Sequence, residues 1–237
     1  MLPVPPLLAR PRPGSAGRPG GRELANLGPR DQLRAGRMPR RLLQLAVGLT
    51  LYGVSMALMV RGTLGLDPWD VFHLGVARHL PLSFGGVVIA TGVVVLLLWV
   101  PLRQLPGLGT IANAVLIGLV TDVALALLAA PEQLALRGAL LVGGVLLNAV
   151  ATALYIGSQL GPGPRDGLMT GLVRRTGWSV RVVRTSIELS VVAVGWLLGG
   201  VVGVGTVFYA LSIGPLVQLL LPRFIVELPA KVSASSR

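Results

Sequence analysis

Cysteine is absent from the 237 residues, which excludes structural disulfides, thiolate metal sites and thiol nucleophiles together. Charge is scarce as well: Asp, Glu, Lys and Arg make up 13%, about half the share of a soluble globular domain. Lysine is nearly missing, since Arg outnumbers it 20 to 1, which reads as codon composition rather than chemistry. Apolar residues are plentiful, 53% of the chain with a mean hydropathy of +0.75, and that is the composition of a polytopic membrane protein. A formal charge of +12 would suit a polyanion. The arginines, however, are scattered between apolar runs of spanning length, where they set topology, so nucleic acid is not an expected partner.

Residues 1–37 hold seven Pro, six Gly and seven Arg without an apolar period, and are expected to be disordered. They do not form a signal peptide, because Pro3, Pro5 and Pro6 interrupt the only apolar stretch near the start. Met38, followed by Pro39, Arg40 and Arg41, reads as the biological start. Two membrane units follow, 38–130 and 131–222, with a short basic cytoplasmic tail at 223–237. Stretches long enough to cross about 30 Å of hydrocarbon lie at 41–60, 84–102, 108–130, 137–157, 180–200 and 204–221. Segments 67–80 and 164–177 are helical in pattern but too short and too charged to cross comfortably. The expected fold is therefore an all-α polytopic membrane protein with about six transmembrane helices and two short re-entrant or half-spanning helices.

Sliding the chain by 96 positions aligns 41–125 with 137–221 without a gap, which predicts two homologous repeats. The identities include Gly48/Gly144, Leu64/Leu160, Gly65/Gly161, Pro68/Pro164, Asp70/Asp166, Gly109/Gly205 and Thr110/Thr206. If the short helix is re-entrant, each repeat has three spans and the halves are inverted; if it crosses, the halves are parallel. Positive-inside counting leaves both open, because either arrangement places three arginines outside. The shortness of the two segments favours inversion, as does Arg103, whose turn matches an uncharged turn at 197–202.

The strings VRGTLGLDPWDVFHLG, PLRQLPGLGTIANAVLIG, LYIGSQLGPGPRDGLMTGLVRRTG and GTVFYALSIGPLVQ resemble the bacterial YczE/YyaS/YitT family of integral membrane proteins, in its YczE-like branch. The resemblance covers about 40–222. It implies a membrane fold, with transport among the roles suggested for members, and it carries no substrate, cofactor or reaction.

The duplicated turns offer the best candidate site. Gly65 and Gly161 suit tight turns with positive φ, and Pro68 and Pro164 suit the first helical position. Asp70 and Asp166 then fall at about the third position, near free backbone N–H groups. They read either as helix-start carboxylates or as part of a solute or proton site where two broken helices meet. Asp67, Trp69 and Arg165 make the two turns unequal. On the span at 180–200, Arg181, Arg184 and Glu188 share one face; Arg184 and Glu188 read as an ion pair, or Glu188 faces a pathway with Asp166 or Arg165. Asp122 is a weaker candidate near a helix end. His73 and His79 lack partners at ligand spacing, so no metal is expected, and no cofactor. Asn113 and Asn148 read as interhelical hydrogen-bonding groups. No acid, base and nucleophile set indicates an enzyme.

These residues favour a small-solute transporter of the bacterial inner membrane, with a cytoplasmic N-terminus, whose partners are the lipid bilayer and one solute. Self-association is left open. The alternative is a non-transporting membrane scaffold or regulatory protein, in which the charges serve only fold and topology.

Overall fold

The computed structural model describes residues 24–25 and 27–229; the readings made above for 1–23 and 230–237 lie outside the described residues. All regular structure among the described residues is helical. The helices are α1 (Pro29–Arg34), α2 (Met38–Gly62), α3 (Pro68–Ala77), α4 (Phe84–Trp99), α5 (Leu108–Leu127), α6 (Leu134–Gly157), α7 (Pro164–Thr176), α8 (Val180–Leu197) and α9 (Val204–Phe224). Pro68 and Pro164 open the two short helices, where a missing N–H costs nothing. Ser83 and Ser179 cap the helices that follow, each hydroxyl accepting an N–H three residues on.

All six long stretches form helices, but only α2, α5, α6 and α9 are both long and apolar enough to cross a membrane. Helix α4 is apolar and has 16 residues, about 24 Å of rise. Helix α8 has 18, with Arg181, Arg184 and Glu188 among them. Many large apolar side chains face outward, among them Leu97, Leu127, Trp196, Leu197 and Val204. An apolar exterior of this extent suits lipid, and the helices satisfy their own backbone as lipid requires.

The centre is the antiparallel pair α2 and α6. Their backbones touch at Gly48 and Gly144: a Cβ on Gly48 would stand 2.8 Å from Tyr155 N, and one on Gly144 3.1 Å from the Ser55 carbonyl oxygen. Helix α5 runs beside α2 in the same direction, with Thr121 Oγ1 donating to the Gly53 carbonyl and Arg61 to that of Leu125. Helix α9 runs beside α6 in the same direction, from Gly205 near Leu141 to Phe224 near Gly157. The short helices cross over between the halves: α3 lies on α8, Phe72 against Gly195, and α7 lies on α4, Gly167 under the Trp99 ring. Two backbone bonds secure the exchange. Gly109 N donates to the Leu160 carbonyl at 2.7 Å and Gly205 N to the Leu64 carbonyl at 2.8 Å, and donors and acceptors are each 96 positions apart.

The expectation of disorder up to residue 37 is not met over the described part of that segment. Arg41 is fully buried and needs acceptors; its guanidinium donates to the carbonyls of Gln32 (2.5 Å), Ser158 (2.8 Å) and Gln159 (2.6 Å). That demand draws α1 onto the helical body and buries Ala35. The tail also begins inside the fold: Val226 N donates to the Gly157 carbonyl at 3.0 Å, and Ile225 and Val226 are buried.

Candidate functional site

The chain enters α3 and α7 through glycines with φ of +117° at Gly65 and +126° at Gly161, a region that side chains disfavour. Each turn packs on a threonine of the other half. Thr206 Oγ1 accepts from Leu66 N at 3.2 Å, and Thr110 Oγ1 donates to the Pro162 carbonyl at 2.7 Å. The turns thereby bring the N-terminal ends of α3 and α7 together.

At that meeting Asp70 and Asp166 stand third in their helices, as expected, but neither is the cap. The residue that caps α3 is Asp67, whose Oδ1 accepts from Trp69 N at 2.8 Å and Asp70 N at 2.9 Å. A carboxylate just before the helix reaches these amides directly, which releases the one in its first turn. Asp70 instead meets His73 Nδ1 at 3.1 Å. In α7 the N-cap is Gly163, and Asp166 accepts from Tyr155 Oη at 2.9 Å. Arg165 crosses from α7 to α3, its Nη1 3.8 Å from Asp67 Oδ1 and its Nη2 4.0 Å from Asp70 Oδ1, while its guanidinium carbon lies 4.8 Å from the centre of the Trp69 ring. These separations are ion pairs but too long for hydrogen bonds. Asp67 and Asp70 are 1% and 0% exposed, and the Oδ2 of each has no hydrogen-bond partner.

Two cavities flank this junction. The smaller, about 90 Å³, lies among α4, α5 and α7 and is lined in part by Val88, Gly92 and Asn113. The larger, about 270 Å³, lies between α8 and α9 and reaches Asp67, Arg184, Glu188 and Gln218. Tyr52, Trp69, Tyr155, Arg165 and Asp166 line both and form the wall between them. The structure thus gathers Asp67, Arg165, Asp166, Arg184 and Glu188 around one space. Asp70 sits behind Arg165, and Arg181 stays exposed outside the group. Arg184 and Glu188 form the expected pair at 2.8 Å.

The halves differ around their cavities. Helix α4 lies flat on α5, Gly92 against Ala114, and Asp122 fastens it by accepting from Ser83 Oγ at 2.5 Å and Gly85 N at 2.7 Å. Asp122 is therefore a helix tie and not a cavity residue. Helices α8 and α9 hardly touch, and Gln218 occupies the position 96 beyond Asp122.

Sequence reasoning missed the tyrosines. All three in the chain, Tyr52, Tyr155 and Tyr209, line the larger cavity. Tyr209 donates to Asn148 Oδ1 at 3.0 Å, and Asn148 donates to Ser55 Oγ at 2.9 Å, the interhelical bonding expected of that asparagine. Hydroxyls rare enough to count, within apolar helices, were an available signal.

A family model described as a family of unknown function, DUF6198, matches residues 39–222, which contain every residue of this junction. The chain belongs to that family. It is 42% identical over 185 residues to an uncharacterized protein of Haemophilus influenzae, an alignment covering 78% of this chain and 84% of that one. It is 33% identical over 182 residues to the uncharacterized membrane protein YczE of Bacillus subtilis, covering 75% and 84%. The YczE-like resemblance of the motifs is thus shown, and with it an integral membrane protein. No solved structure matches the chain at a significant level.

Proposed function

We propose that this membrane protein is a small-solute transporter built from two inverted repeats, with its site in the cavity beside the meeting ends of α3 and α7. The observation that carries the reading is the bridge from Arg165 in one half to Asp67 and Asp70 in the other, next to a space of about 270 Å³. Discontinuous helices that present their N-terminal ends to a shared polar cavity are a common way to hold a solute within a membrane. The reciprocal bonds Gly109 to Leu160 and Gly205 to Leu64 support duplication, because a constant offset of 96 relates both partners. The directions of α2, α5, α6 and α9 support inversion: both ends of the α3 segment return to the side where α2 ends, and both ends of the α7 segment to the side where α6 ends.

The unequal halves suggest how access alternates. With α4 fastened on α5 and α8 apart from α9, one cavity is pinched and the other wide. Exchange of these two arrangements between the repeats would close the wide cavity and open the pinched one. The protein lies in the cytoplasmic membrane with its N-terminus inside, and no catalytic role is proposed for it.

The test is flux. Protein reconstituted in liposomes is expected to move a member of a metabolite pool, and Asp166→Asn with Glu188→Gln is expected to slow it by tenfold or more. If no solute moves and the paired substitution leaves the cellular phenotype intact, the scaffold reading replaces transport.

A further inference from the structure

We propose that the cavity between α8 and α9 binds an organic ammonium group at Asp67. The inference deepens the transporter reading by naming a substrate class, and it rests on that reading's choice of site.

Three observations point to a cation that donates hydrogen bonds. First, the charges do not balance. Arg184 and Glu188 neutralise each other at 2.8 Å, which leaves Asp67, Asp70 and Asp166 with Arg165 as the one remaining guanidinium, beside the N-terminal ends of α3 and α7. Three carboxylates facing one guanidinium leave a formal excess of two negative charges, and a proton on His73 would still leave one. Asp67 and Asp70 are buried away from water, which makes such an excess costly until a proton or another cation enters.

Second, two carboxylate oxygens at the site lack a donor. Asp67 Oδ2 and Asp70 Oδ2 are buried without any hydrogen-bond partner, and Asp67 lines the cavity. Arg165 does not supply them, since it approaches only the Oδ1 atoms, and only to 3.8 and 4.0 Å. It is itself held over the Trp69 ring. Of the two guanidiniums that line the cavity, Arg184 is hydrogen-bonded to Glu188 and Arg165 faces Asp67 and Asp70.

Third, the walls suit an organic cation better than a bare metal ion. Tyr52, Tyr155 and Tyr209 line the space, and tyrosine rings attract ammonium groups through their faces. Among the described residues no group of three His, Cys, Asp or Glu side chains is placed to hold a metal ion. A volume of about 270 Å³ is many times the roughly 10–15 Å³ that one water needs on the same measure, enough for a small aliphatic or aromatic amine.

Calorimetric titration of the full-length protein in detergent tests this with a panel of primary amines, quaternary amines of matched size, carboxylates and sodium chloride. Saturable binding of a primary amine is expected, weakened at least tenfold by Asp67→Asn. That change keeps the fold, because asparagine caps a helix as well as aspartate does; an unaltered melting temperature and elution profile verify it. Binding of carboxylates or sodium in place of amines, binding that Asp67→Asn leaves unchanged, or no amine binding at all overturns the proposal. Amine binding without flux would remove the transport reading and leave the binding site. Flux of a solute that carries no amine would do the reverse.

Discussion

Arg165 Nη1 and Asp67 Oδ1 lie 3.8 Å apart, an ion pair between the opening residues of two short helices that belong to different halves of the chain. Asp67 is 1% exposed, so the guanidinium serves as the counter-charge of a carboxylate that water barely reaches.

Removing that counter-charge should be expensive. Arg165→Ala is expected to destabilise the protein by about 3 kcal/mol, the order found when one partner of a buried pair is deleted. Adding Asp67→Asn should return part of the loss, since it removes a stranded charge. Melting curves of the two variants in detergent measure this; equal melting temperatures for the single and double variants would mean that the pair is not coupled.

The chain's lack of cysteine makes its topology easy to read. Single cysteines replacing Gln104, between α4 and α5, and Gln133, before α6, should react with a membrane-impermeant maleimide from opposite sides. Inversion requires Gln104 inside and Gln133 outside. The opposite pattern would favour parallel repeats.

The inequality of the halves can be measured at matched positions. Spin labels at Val93 and Val115 report the α4 to α5 separation, and labels at Leu189 and Leu211, each 96 positions on, report α8 to α9; all four side chains are exposed. Pulsed electron resonance should give the shorter distance for the first pair, and the transported solute should move the two distances in opposite directions. Distances that are alike and indifferent to solute would argue against alternating access.

Much of this architecture was legible in the sequence, and the reason is local. Apolar runs, prolines at helix starts and glycines at turns act within a few residues, so the six long helices and the two short ones could be located. The cap at Asp67 lies on the same scale, but it has no acidic counterpart 96 positions on, where Gly163 stands, whereas Asp70 is matched by Asp166. Convergence was not local. That Tyr209 reaches Asn148, or that Asp166 takes the hydroxyl of Tyr155, depends on how α6, α7 and α9 pack. Composition also misled, since the Pro, Gly and Arg of residues 24–37 gave no sign that a buried Arg41 would recruit them.

A chain beginning at Met38 should therefore be less stable. It lacks the Gln32 carbonyl that receives Arg41 and the Ala25 amide that donates to Gln159 Oε1 at 2.7 Å. Loss of about 1 kcal/mol per hydrogen bond is expected, together with the burial of Ala35. The melting temperature should fall relative to full-length protein, and Arg41→Lys should lower it as well, because an ammonium cannot serve three carbonyls arranged around a planar fork.

Gln159 closes this arrangement into something more general. Its side chain accepts from Ala25 and donates to the Val226 carbonyl at 2.7 Å, while a Cβ on Gly36 would stand 3.3 Å from Pro229. The first and last described segments are thus neighbours. A short linker could join them, and the connection at 128–133 could be opened in their place. Circular permutation would then exchange the order in which the halves enter the membrane while keeping their contacts, which makes order of insertion a variable that can be set independently of structure.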